Sequence, residues 1–251
     1  MVLVTFALPE ESTAFRKLLR RTEAGAALNS AGVRVGHVGV GAVAARARIR
    51  LLFSEGVPRI VCAAGFAGGL DLRLAAADLV IDARLSDASL VTVVQAALHS
   101  EFAPAGGAIA HRANASHRSH VRVWSGPIVS ASAPIESAAE KKAWHTRTGA
   151  IAVDMETETL ADECRIARVP FLALRVISDD ASSDLPVPMS DWFDLERQRP
   201  NVGGLIRFLA THPQRIAPFC RFVISLRAAR TNLARALIAG LREWASPLQG
   251  G

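Results

Sequence analysis

The chain predicts a three-layer α/β/α sandwich around a central mixed, mostly parallel sheet. Two observations carry that prediction. Short apolar, β-branched runs alternate with helical stretches along the first 180 residues, the signature of strand–helix–strand units. Several runs are apolar at nearly every position, as in strands covered on both faces. A third observation, an arginine-rich helical stretch at the end, adds a C-terminal helical extension to the sandwich.

The elements follow in order. Residues 2–8 form an apolar run that meets Pro9-Glu10-Glu11 at once, without a basic leading segment. They predict a buried strand rather than a secretory signal. A helix is expected over 12–23, a strand over 33–40 and a helix over 42–54. Strands over 59–64 and 78–83 come next, the first closed by a glycine-rich turn at 65–69. Residues 103–119, rich in Gly, Ala, Ser and His, predict a long loop. A strand over 121–130, a helix over 137–146, a strand over 151–155, a helix over 157–167 and a strand over 171–178 complete the pattern. Residues 179–200, rich in Pro and Asp, read as a long connection. Pro-punctuated helices are expected over 205–211 and 215–244. The division is a catalytic domain over 1–200 and a basic amphipathic extension over 201–251, packed on or beside it.

The net charge of +6 has a location, because residues 201–251 hold seven arginines and one acid, Glu243, while residues 1–200 balance. A uniformly basic nucleic-acid binder is thereby disfavoured, and no nucleic-acid partner is expected. Ile216, Phe219, Val223, Leu226, Leu233, Leu237, Leu241 and Trp244 recur at helical spacing, with arginines between them. Two readings stay open: a helix packed on the body or a partner subunit, or a surface that touches anionic lipid headgroups. Cys62, Cys164 and Cys220 are far apart and form no CxxC, so they read as reduced thiols of a cytoplasmic protein. No uncharged apolar run nears the roughly 18 residues of a membrane span. His99, His111, His117 and His120 fit no zinc spacing, so neither a metal nor a cofactor is expected.

Gly39-Val40-Gly41 ends a strand and opens a helix, as in dinucleotide-binding folds. The next strand end, Val61-Cys62-Ala63-Ala64-Gly65, lacks the acid that would hold the ribose, which excludes that reading. A tight turn or a backbone cradle for ribose, phosphate or water remains. The glycines at 65, 68 and 69 allow a ligand to approach backbone closely. Phosphate-loop, GxSxG and HExxH motifs are absent from the sequence.

Two apolar strands finish in acids: Glu156 follows Met155, and Asp179 follows Ser178. A third acid, Glu10 or Glu11, follows the first strand. Any one of them reads as a helix-capping carboxylate. Three at strand ends predict a common cleft at the carboxyl edge of the sheet.

Ala7-Leu8-Pro9-Glu10-Glu11, Gly39-Val40-Gly41, Gly65-Phe66-Ala67-Gly68-Gly69, Val153-Asp154-Met155-Glu156 and Arg175-Val176-Ile177-Ser178-Asp179 resemble, in this order, the nucleoside phosphorylase/nucleosidase superfamily. That superfamily includes the methylthioadenosine/S-adenosylhomocysteine nucleosidases. The resemblance spans roughly residues 1–180 and implies roles. Asp179 resembles the acid that protonates the purine at N7, and Glu156 the carboxylate that binds the ribose hydroxyls. Met155 packs on the sugar. Glu11 orients and deprotonates the attacking water, with Arg175 beside that water or an anion. Ser178, Phe66, Ala67 and Gly68 line the pocket, and Pro134 and Ile135 fall where the family packs on the base. The sequence departs from the pattern at Pro134, where an aromatic is common, and at Phe66, where relatives often carry Ser or Thr. The implied partners are a small nucleoside substrate and a second copy of the chain in a homodimer.

Glu11 near the nucleophile suits water and repels phosphate, and Phe66 removes a hydroxyl donor. Hydrolysis is therefore expected over phosphorolysis. The arginine-rich extension is similar to the hopanoid-associated phosphorylase-like subgroup, whose activity removes adenine from adenosylhopane. A lipid-linked nucleoside would account for Phe66, the long 180–200 connection and peripheral contact with the inner face of the membrane. A non-catalytic nucleoside- or lipid-binding protein on the same fold is disfavoured by the three intact acids.

Overall fold

The computed structural model describes residues 1–103 and 121–245. The expected loop over 103–119, with His111, His117 and His120, lies almost wholly outside them. The elements begin β1 (Val2–Phe6), α1 (Pro9–Arg21), α2 (Glu23–Ser30), β2 (Val33–His37), α3 (Ala42–Ser54) and β3 (Ile60–Gly69). Next come β4 (Leu79–Asp82), α4 (Ala88–Glu101), β5 (Val123–Gly126), β6 (Ile128–Ser130), α5 (Ala138–Thr148), β7 (Ala152–Asp154), α6 (Thr157–Ala167) and β8 (Phe171–Asp179). The connection holds a short α7 (Met189–Trp192) and a two-stranded ribbon of β9 (Phe193–Asp194) and β10 (Arg199–Pro200). Then follow α8 (Val202–Thr211) and the 30-residue α9 (Ile216–Ala245).

The main sheet runs β2-β1-β3-β8-β4-β5. It is mixed as expected: β4 lies antiparallel to β8, and β7 antiparallel to the far end of β3, while the other pairs are parallel. Alternation along β1 explains its uninterrupted apolar sequence. Val2, Val4 and Phe6 face one helical layer with Phe15, Leu19 and Leu28, while Leu3 faces the other with Ala45, Ile49 and Leu160. The strand expected over 121–130 is broken at Pro127, which lacks the N–H that a ladder needs. Its halves pair with different partners, β5 with β4 and β6 with β7. The chain thus links β3, β8, β4, β5, β6 and β7 into a small closed ring, whose strands contribute Ala67, Val80, Ile128, Ala152 and Ile177 to one apolar cluster.

Several expectations need correcting. The glycine-rich turn expected at 65–69 is strand, because β3 runs through Gly69. The first helix starts at Pro9, where a proline's fixed φ and missing donor cost nothing, so Glu10 and Glu11 sit in its first turn. Helices α2 and α4 were not expected. The signal for α4 was present in Leu90, Val94 and Leu98, a buried stripe at helical spacing.

The C-terminal region is not an appendage. Leu233, Leu237, Leu241 and Trp244 of α9 belong to the same core cluster as Phe6 and Phe15. Burying each such leucine contributes roughly 1.5–3 kcal/mol. The first half of α9 is different, with Ile216 and Ile224 exposed, as are Val202 and Ile206 of α8. Among the described residues, no helix is long and apolar enough to cross a membrane.

Candidate active site

A cavity of about 380 Å³ opens where β1, β3 and β8 end. Glu11, Phe66, Ala67, Gly68, Pro134, Ile135, Met155, Glu156, Ser178 and Asp179 all line it, so ten of the eleven residues expected at the site come together. The eleventh, Arg175, does not line it. Its guanidinium lies beneath, buried.

That buried layer is built around a close approach. A Cβ on Gly65 would stand 2.9 Å from Arg175 Nη1 and 3.2 Å from Glu11 Oε2. Only glycine leaves room for both side chains against the β3 backbone. Glu11 Oε2 accepts hydrogen bonds from the Ala7 and Leu8 amides at 2.9 and 3.2 Å, and Oε1 accepts from the Phe66 amide at 3.2 Å. Glu11 therefore does cap α1 while facing the cavity. Burial pushes its carboxyl above the usual range, against the pull of the Leu8 amide and Arg175.

Arg175 donates from Nε to Asp154 Oδ2 at 2.8 Å and from Nη2 to Thr157 Oγ1 at 2.8 Å. Burial works against its charge, but Asp154, Glu156 and Glu11 outweigh this and hold its proton more tightly. Asp154 also accepts from Ser130 Oγ at 2.6 Å and from the Thr157 amide and hydroxyl at the start of α6. Glu156 is the residue before α6, and its Oε1 accepts from the Gly41 amide at 2.7 Å. Gly41, at φ 88°, adopts a backbone conformation few other residues tolerate, and it opens α3. The Gly39–Gly41 turn is thus a backbone cradle, but for a protein carboxylate. Burial first, then the charge on Asp154, pushes the Glu156 carboxyl up to about 8.

Asp179 arrives by a different device. The β3/β8 register shifts between Ala67 and Gly68, so Ala67 pairs with Ile177 and Gly68 with Asp179. The extra residue, Ser178, is a bulge, and both Ser178 and Asp179 turn to the cavity. The Ser178 hydroxyl bonds Asp179 Oδ1. Asp179 Oδ2 meets Lys141 Nζ of α5 at 2.5 Å.

The acids at strand ends do line one cavity, but from strands of opposite direction. Asp179 ends β8, which is parallel to β3, whereas Glu156 follows β7, which runs against it. They share a cavity because β3 passes between them.

Sequence reasoning missed several contributors. Asp154 lies inside the acidic motif, but nothing in its sequence position signals the contact with Arg175. Lys141 carries no local signal, since its partner is 38 positions away. Trp192 and Phe193 line the cavity from the connection, supplying aromatics that Pro134 does not. Gln198 bonds Val40 in both directions, at 2.6 and 2.9 Å, and pins that connection to the Gly39–Gly41 turn. Phe222, Leu226 and Arg230 of α9 form a further wall.

The architecture is that of the nucleoside phosphorylases and nucleosidases, an α/β/α sandwich with carboxylates around a cavity at the strand ends. The chain belongs to the phosphorylase superfamily, whose family model matches residues 8–209. Among solved structures, it is similar to the 5'-methylthioadenosine/S-adenosylhomocysteine nucleosidase of Neisseria meningitidis in complex with methylthio-immucillin-A. That match has a TM-score of 0.65 and 18% identity, covering 96% of this chain and 98% of that one. It is also similar to the corresponding Helicobacter pylori nucleosidase bound to butyl-thio-DADMe-Immucillin-A, with a TM-score of 0.64 and 16% identity over 96% and 97% of the chains. The native futalosine hydrolase of Helicobacter pylori gives the same TM-score, identity and coverage. The chain is therefore an enzyme of the N-glycosyl hydrolase or nucleoside phosphorylase kind. Coverage of 96% leaves too few residues over for the α8–α9 region to be an addition absent from these structures.

Proposed function

We propose that this enzyme hydrolyses the N-glycosidic bond of a 5′-substituted adenosine and releases adenine. The observation that carries this reading is the charge around the cavity. Among the described residues, Glu10, Glu11, Asp154, Glu156 and Asp179 line it, against one lining cation, Arg230. Phosphate needs cationic or hydroxyl donors and meets carboxylates instead, whereas water needs a base. In this reading Asp179 gives a proton to N7 as the bonding electrons move onto the purine. Glu156 accepts from the ribose hydroxyls and favours the positive charge that develops on the sugar. Glu11 takes a proton from the attacking water, and Arg175 holds Glu11 in place from below.

The test is adenine release from methylthioadenosine with and without phosphate. Full turnover without phosphate and free methylthioribose as product are expected. Strict phosphate dependence with a ribose 1-phosphate product would overturn the water assignment.

We further propose that the natural 5′ substituent is large and apolar, as in adenosylhopane. Leu185, Met189, Trp192, Phe193, Phe222 and Leu226 supply an apolar wall that supports this. In the same reading the enzyme is a cytoplasmic homodimer that touches the inner face of a membrane. Ile206 and Ile224, each 63% exposed, would be immersed among the headgroups with arginines beside them. Sedimentation with anionic vesicles tests this contact, and an Ile224→Glu variant that sediments as well as the wild type would refute it.

A further inference from the structure

Lys141 is fully buried, with a relative exposure of 0%. Removing an ammonium from water costs several kcal/mol unless it is paired and its donors are satisfied. All three donors are used: Nζ lies 2.5 Å from Asp179 Oδ2, 2.7 Å from the Asp180 carbonyl and 2.9 Å from the Ser183 carbonyl. Neutral or singly charged contacts already stitch α5 to this connection. The Leu185 amide donates to the Glu136 carbonyl at 2.8 Å, the Met189 amide to Glu136 Oε1 at 2.7 Å, and the Ala138 amide to Asp184 Oδ1 at 2.9 Å. The attachment does not need a buried cation, but the Asp179 carboxylate has a use for one.

We infer that Lys141 is the positioning residue of the leaving-group acid. Its ammonium fixes Oδ2 while the Ser178 hydroxyl fixes Oδ1, which sets the face of the carboxyl that meets the base. It also stabilises the negative charge left on Asp179 when the proton passes to N7. This rests on the proposed function, in which Asp179 is that acid. Lys141 does not line the cavity, so its effect on the substrate passes through Asp179 and the connection that follows it.

The test is the pH profile of kcat and KM for methylthioadenosine in Lys141→Met, with the thermal unfolding midpoint as a control. Without the cation, the basic limb of the kcat profile should move to higher pH by about 1–3 units. The kcat at the optimum should fall about 10²-fold, with KM within a factor of about 2–3. Lys141→Arg, which keeps the charge, should restore the limb. The other charges around the pair are Asp180 and Asp184 on the connection, Glu136 and Glu140 at the start of α5, and Glu11, Asp154, Glu156 and Arg175 near the far end of the cavity. Glu156, raised to about 8, adds a limb of its own, so Glu156→Gln identifies that limb and removes it. Should Lys141→Met not fold, Lys141→Gln carries the same measurement. An unmoved limb, or a failure of both variants to fold, would make Lys141 a structural residue and overturn the inference. Asp179→Asn separates the two levels. If that variant keeps full activity, the proposed function loses its acid; if it is inactive and the Lys141→Met limb stays put, only the role of Lys141 falls.

Discussion

At one end of the cavity, three carboxylates share one cation; at the other, one carboxylate has a cation to itself. Glu11, Asp154 and Glu156 surround Arg175, and only Asp154 is in direct contact with its charge. Burial first, then the charge on Asp154, raises the Glu156 carboxyl to about 8. Asp179 instead meets the buried ammonium of Lys141. The two ends differ in burial and in the ratio of acids to cations: Glu11 and Glu156 are buried around a shared Arg175, whereas Asp179 is half-buried and ion-paired with Lys141.

The sharpest way to break this contrast is Glu11→Gln. The amide oxygen can still accept from the Ala7 and Leu8 amides, so the capping of α1 survives, while the Phe66 amide loses its acceptor. The base for water does not. The kcat on methylthioadenosine should fall by about 10²–10⁴-fold with little change in unfolding temperature. An active variant would reduce Glu11 to a helix cap.

A smaller effect comes from pH and reads the crowded end directly. Glu156 binds its proton more tightly in the folded protein than in the unfolded chain. Its stabilising contribution is therefore complete below its ordinary value of 4.5, declines as pH rises, and is lost above about 8. Glu11, also raised, adds the same sign. The melting temperature should fall between pH 5 and 8 and then level, and Glu156→Gln should flatten the slope. A slope unchanged in that variant would place the raised proton affinity elsewhere in the cluster.

The same contrast explains what could be read in advance. The Glu11–Glu156 end is assembled from motifs whose neighbours in sequence are neighbours in space: an acid in the first turn of α1, a glycine turn, and an acid before α6. Such features leave a local pattern. Asp179 was visible for the same reason, as an acid after an apolar strand. Its partner was not, because Lys141 sits in a helix whose sequence reads as ordinary and exposed, and only the return of the 180–185 connection buries it. The strand order was equally hidden. An apolar run predicts burial on both faces but not direction, so the reversal of β7 relative to β3 left no trace. The C-terminal helix misled in a different way. Its arginines drew attention to the surface, while Leu233, Leu237 and Leu241 on the same helix complete the core.

That helix gives the finest test, because its two halves do different work. Phe222 and Leu226 reach the cavity from the half whose other faces are exposed, while the half beyond Ala229 is buried. Truncating Phe222 to Ala removes apolar wall without opening the core, so folding and the charged ends of the cavity should be untouched. On methylthioadenosine, kcat and KM should stay within about twofold. On adenosines with longer alkyl groups at the 5′ position, KM should rise with chain length to about tenfold, equivalent to about 1.4 kcal/mol of lost contact. A rise that is the same for every substituent would mean that Phe222 shapes the pocket as a whole and not the path of the 5′ group. The apolar wall would then lose its meaning as a substrate signal, while the assignment of the acids, which rests on other residues, would stand.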